Sequence, residues 1–145
     1  MPEPAKTPWH LWIVGVVALL LNAGSAYDYV MTQTRNAAYL SEFTAEQLAY
    51  FYSFPSWVVA VWATAVWTGV LGALFLLMRR RWAVPVLWLS FACTIVTAVY
   101  MYLVAETSIA DVIGPSVFYF SMLIIAFAGL LVWYAQRMQA RGVLR

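Results

Sequence analysis

Four long apolar runs decide what this chain can fold into. They cover about residues 9–29, 56–78, 82–104 and 113–134, each near the roughly 20 residues needed to cross a hydrocarbon core about 30 Å thick. None alternates apolar and polar residues with a period of two. Lipid offers the backbone no hydrogen-bond partners, so a spanning segment must be a helix or part of a closed barrel. The expected fold is therefore all-α, a four-transmembrane-helix bundle forming a single integral membrane domain over residues 1–145. Proline placement agrees. Pro55 precedes the second run, and Pro85 and Pro115 fall in the first turns of the third and fourth, where a missing N–H costs least. So does composition: 65% of the residues are hydrophobic and 10% charged, against about 45–50% and about 25% in soluble domains. A soluble domain this small could not hide that much apolar surface.

The charges set the orientation. Lys6 precedes the first span, Arg79, Arg80 and Arg81 form the short connection between the second and third, and Arg137, Arg141 and Arg145 follow the fourth. Seven of the eight basic residues thus fall on one side and only Arg35 on the other. The positive-inside rule places the seven in the cytoplasm, with both termini, and makes the arginine run a topology anchor. Asp28, Glu42, Glu46, Glu106 and Asp111, five of the six acids, fall on the outer side. "LWIVGVVALLLNAGSA" has the look of a signal-peptide core before a small-residue cleavage site. However, the preceding segment holds a single lysine and two prolines after Met1-Pro2, and cleavage would leave an odd number of spans, so an uncleaved first helix is expected.

Eight of the nine tyrosines lie at or near the outer end, while Trp9, Trp12, Trp82 and Trp133 mark the inner boundary. This is the pattern of an interfacial aromatic belt. The one long connection, residues 31–55, contains "SEFTAEQLAYFYSFP". Thr44 and Gln47 have capping-box spacing, Glu46 sits in the first turn, and Leu48, Phe51 and Tyr52 fall on one face. A short amphipathic helix is expected here, lying over the outer face of the bundle.

Membrane helices associate through close backbone approach and polar contacts, because lipid tails are as apolar as leucine. Each span offers a seam for that. The first has Gly15, Ala18, Asn22 and Ala26; the second has Ala65, Gly69 and Ala73, with Gly72 beside them. The third has Ser90, Thr94 and Ala98, and the fourth Ser121, Ile125 and Gly129.

Catalytic constellations are missing from the sequence. With one cysteine, Cys93, there is no intramolecular disulfide and no cysteine metal cluster. One histidine, His10, excludes chemistry needing two imidazoles within a chain. No Gly-rich phosphate loop, HExxH or nucleophile elbow occurs. A net charge of +2 is too small to argue for nucleic acid. No enzyme activity, cofactor or metal is expected. The partners expected are the lipid bilayer and other membrane-protein chains, as a homo- or hetero-oligomer.

What remains is a set of polar groups inside the membrane, which mark function when they are deep. Counted from Trp12 at about 1.5 Å per residue, Asn22 lies roughly 15 Å along the helix and Asp28 roughly 24 Å. Asn22 is thus near mid-membrane, and Asp28 near the outer edge. The two are about 120° apart around the helix, with Ser25 between, and are not expected to share a face. Asn22 is expected to hydrogen-bond to a neighbouring helix. Asn22, Ser25, Asp28, Trp62 and Thr94 form the candidate intramembrane polar centre. Glu42, Glu46, Glu106 and Asp111 form a candidate acidic outer rim.

Residues 9–83 resemble a family of short bacterial inner-membrane proteins. The likeness is carried by Asn22, Ala26-Tyr27-Asp28-Tyr29, Met31-Thr32, Pro55-Ser56-Trp57, Trp62-Ala63, and Gly69 with Gly72. Members are often catalogued as "sugar transporter". One departure is the leucine before Asn22, where the family pattern has tryptophan. The resemblance implies a bacterial inner membrane and no enzyme activity. Two readings follow: a non-catalytic bundle acting by helix packing, as an oligomer or accessory subunit, or a transporter of a small, sugar-like solute. A polar cavity reaching Asn22, lined by Trp62 and Thr94, separates the second from the first.

Overall fold

The computed structural model describes residue 3 and residues 5–145. Helix α1 spans Trp9–Gln33, and two short helices follow it, α2 at Ala37–Leu40 and α3 at Ala45–Tyr52. Next come α4 (Ser56–Leu77) and α5 (Ala83–Val99), which runs on into a π-helical turn at Tyr100–Val104. Helix α6 (Ile109–Ile113) and α7 (Ser116–Ala140) complete the chain. Among the described residues, α1, α4, α5 with its π turn, and α7 are long and apolar enough to cross a membrane. Over the described residues the regular structure is all helical, and the four long apolar helices make the chain a multi-pass membrane protein.

Several boundaries differ from those read off hydropathy, for local reasons. Helix α1 continues past position 29 to Gln33, so Asp28 lies inside the helix rather than at its exit. The apolar run beginning at Ile113 is broken: Ile113 closes α6, and Gly114 takes φ 120°, a conformation side chains rarely adopt. Pro115 then caps α7, which extends beyond position 134 to Ala140 and brings Arg137 into its last turn. A cation there suits the negative end of the helix dipole.

The long helices pack in the order α1–α4–α5–α7, and α1 and α7 make no extended contact. Glycine permits the closest approaches. At Gly72 a Cβ would come 2.5 Å from Leu87 Cδ2 on α5, and at Gly69 it would overlap Asn22 Oδ1 on α1. The hydroxyl of Ser90 donates across the α5–α4 seam to the Ala65 carbonyl at 2.7 Å.

Two apolar clusters close the two ends. At the Arg79–Arg81 end, Leu11, Leu76, Ala135 and Met138 pack with Val143 and Leu144 of the C-terminal segment. That segment is tied down by backbone bonds from Arg81 N to Arg145 O (3.0 Å) and from Arg145 N to Arg79 O (2.9 Å). Arg79 also donates to Thr7 Oγ1 at 2.8 Å. His10 Nδ1 pairs with the Tyr134 hydroxyl at 2.5 Å, joining α1 to α7. At the opposite end Tyr50, Phe54, Val58 and Ile109 form the second cluster. The space between the two clusters is not filled.

Candidate functional site

Helices α1 and α7 meet at the Arg79–Arg81 end, where His10 reaches Tyr134, but make no extended contact beyond it, and the four long helices line a cavity of about 840 Å³. All four contribute to the wall. Its floor is apolar, with Leu87 from α5 and Phe127 and Leu131 from α7. Towards the α2–α3 end the wall turns polar, with Asn22, Ser25 and Asp28 from α1 and Thr94 and Thr97 from α5. Tyr102 and Ser121 join there as well, their hydroxyls 2.8 Å apart across the α5–α7 gap.

The structure brings Asn22, Ser25, Asp28, Trp62 and Thr94 to this one space. Two expectations about them change. Asn22 and Asp28 line the same cavity although they stand a third of a turn apart, because the wall takes in the whole arc from Asn22 through Ser25 to Asp28. Nor does the Asn22 amide bond to another helix. Its Nδ2 donates to Ala18 O on its own helix at 2.8 Å, while Oδ1 lies over Gly69. The acidic rim does not join the site: Glu42, Glu46, Glu106 and Asp111 are all exposed, and none lines the cavity. Trp62 is half-buried, set edge-on to Tyr29 with ring centroids 4.9 Å apart. Trp67, further along the same helix, points outward.

The chemistry of the wall follows from where its protons point. A serine or threonine inside a membrane helix commonly donates to a carbonyl one turn back, because nothing else there can accept. Ser25 donates to Leu21 O, Thr94 to Ser90 O and Thr97 to Cys93 O in this way. Ser90 uses its proton on Ala65 O. What these groups leave facing the cavity is oxygen lone pairs.

Asp28 is the only charged side chain on the wall among the described residues. Its Oδ1 accepts a hydrogen bond from the Tyr39 hydroxyl of α2, and no second described donor reaches the carboxylate. That bond, with burial and the negative charge of Asp28 reinforcing it, pushes the Tyr39 hydroxyl up to about 12. Arg35, the basic residue at this end, lies over the Tyr52 ring at 4.1 Å. Asp28 and Trp62 also line a second, smaller space of about 60 Å³ beneath Leu40, Phe43, Leu48 and Phe51. The carboxylate and the indole therefore form the partition between the main cavity and the underside of α2 and α3.

Comparison with family models, with curated proteins and with solved structures returned no match for this chain.

Sequence reasoning missed the tyrosines as fasteners. An aromatic belt accounts for their position, but three hydroxyls tie the α2–α3 segment to the long helices: Tyr39 to Asp28, Tyr52 to Thr32 O at 2.7 Å, and Tyr50 to Met101 O at 3.2 Å. The last bond depends on the π turn, which stretches the backbone ladder so that Ala105 N bonds back to Tyr100 O at 2.8 Å. Such a turn frees carbonyls and re-aims side chains, and it often marks a functional position. Here it presents Met101 and Tyr102 to the cavity. Burial pushes the Tyr50 hydroxyl up to about 12, with Tyr100 and Tyr102 adding to the effect. Tyr50 is also more buried than Leu48 or Phe51, the face that spacing alone selects on α3. No local sequence signal marks this pairing, since the partners lie up to 51 positions apart.

Proposed function

We propose that this chain is a non-catalytic, four-span protein of a bacterial inner membrane that binds a small molecule among its helices. Both termini lie in the cytoplasm, on the side of the arginine run. The α2–α3 segment covers the outer face. The observation that carries the reading is the cavity of about 840 Å³, within the size range of small-molecule sites, with a mainly apolar lining and a few polar side chains, Asp28 among them. A guest with an apolar body suits it better than a sugar, whose many hydroxyls need more polar partners than this wall supplies. Transport of such a guest is the role closest to the resemblance, with the gap between α1 and α7 as the route from the bilayer.

A second reading has its own support. Helix α7 is the least buried of the four long helices, with Phe120, Leu123 and Leu130 all strongly exposed. A helix of a second copy or of a partner subunit seated in the gap would make the protein a packing component of a larger assembly.

One experiment separates the two. Thr94→Cys is introduced into a Cys93→Ala background and the protein reconstituted in phosphatidylcholine nanodiscs. Reaction with a small neutral thiol reagent and a monomeric mass are expected if the cavity is an open binding site. A protected thiol in an oligomer refutes the binding reading and supports the packing one.

A further inference from the structure

We propose that the guest of this cavity is a hydrophobic organic cation, a protonated amine on an apolar body, with its charge held between the Asp28 carboxylate and the Trp62 ring. The proposal rests on the cavity being a binding site and names its ligand class.

Three observations point the same way. The first is charge. Asp28 is the single charged group on the wall, half-buried, and no described cation neutralises it. A carboxylate at such a depth is stabilised by a counter-charge, and it has acceptor capacity beyond the one bond from Tyr39. The second is hydrogen-bond polarity. Ser25, Thr94 and Thr97 use their protons on carbonyls of their own helices, so these three offer acceptors to the cavity, and the donors left on the wall are the second N–H of Asn22 and one hydroxyl of the Tyr102–Ser121 pair. An ammonium group carries donors and no acceptor, whereas a sugar hydroxyl or a carboxylic acid also needs donors from the wall. The third is the aromatic setting. Trp62 shares both cavities with Asp28, and an indole face is the best aromatic partner for a cation. The apolar floor of Leu87, Phe127 and Leu131 then receives the body of the molecule.

The test uses three probes of one shape: 4-phenylbutylammonium, 4-phenylbutanol and 4-phenylbutanoate. Binding to the full chain in phosphatidylcholine nanodiscs is measured by calorimetry, with empty nanodiscs as the blank. One saturable site for the ammonium is expected, about tenfold or more tighter than for the alcohol, with no binding of the carboxylate. Asp28→Asn should bring the ammonium down to the affinity of the alcohol. Asp28→Glu and Tyr39→Phe, which keep the charge, should retain the preference. They also guard against loss of binding through misfolding. The ammonium should slow reaction of Thr94→Cys with the neutral thiol reagent. Equal binding of ammonium and alcohol, or a preference that survives Asp28→Asn, overturns the cation class while a reactive Thr94→Cys leaves the cavity reading standing. An unreactive Thr94→Cys overturns both.

Discussion

Substituting Gly69 with alanine puts a Cβ where the Asn22 amide already sits. The new carbon would overlap Oδ1, lie 2.9 Å from Cγ, and approach Ser90 Oγ to 3.2 Å. Two relaxations are open to the structure. The Asn22 side chain can rotate away, which breaks its bond to Ala18 O and loses about 1 kcal/mol, with about 0.5–1.5 kcal/mol more if the new angle is off-rotamer. Alternatively α1 and α4 can separate, which loosens the contacts of Gly15 with Leu77 and of Tyr29 with Trp62. Either route fits the range of about 1–3 kcal/mol for overpacking a tight site. The assay is reversible unfolding in mixed micelles, run as a double-mutant cycle with Asn22→Ala. Removing the amide removes the obstacle, so Gly69→Ala should be close to neutral in the Asn22→Ala background, with a coupling of about 1 kcal/mol or more. A Gly69→Ala variant as stable as the parent, or a penalty unchanged by Asn22→Ala, would refute the account of how α1 seats on α4.

Two other outcomes follow from the hydroxyls. Tyr39 and Tyr50 are raised to about 12 from an ordinary value of 10.0. The folded state therefore holds protons that the unfolded chain releases first. The stability these tyrosines contribute is complete below pH 10 and falls as the pH rises from 10 to 12. Spectrophotometric titration should show late-titrating phenols, one of which disappears in Tyr39→Phe and another in Tyr50→Phe; a single common transition near pH 10 contradicts this. Ser90→Ala should cost about 0.6 kcal/mol, the average for a hydrogen bond between membrane helices, because Ala65 O keeps its helical partner. A loss above about 2 kcal/mol, measured by the same unfolding assay, would mean that Ser90 supports more of the α4–α5 seam than its one bond.

The spans were legible because crossing a membrane is a property of local sums: about twenty apolar residues in a row can do little else. The cavity is a property of a gap, and nothing in the sequence of α1 or α7 states that these two helices, joined at His10 and Tyr134, make no extended contact beyond that end. The same limit explains the misjudged pair on α1. Asn22 and Asp28 are separated by a third of a turn whatever the fold. That angle excludes a shared contact only if the opposing surface is flat, and three helices facing α1 make it concave. Even the ligand chemistry inverts between the two levels. Read as letters, Ser25, Thr94 and Thr97 are as much donors as acceptors. Once their helices form in lipid, each proton turns back to a carbonyl, and these three side chains are left with acceptors alone. A stripe that looks ambivalent in sequence thus becomes an acceptor surface with a carboxylate at its end. The bilayer itself imposes that polarity, so the identity of Asp28 as the one charge on the wall, rather than the number of hydroxyls, determines what the site selects.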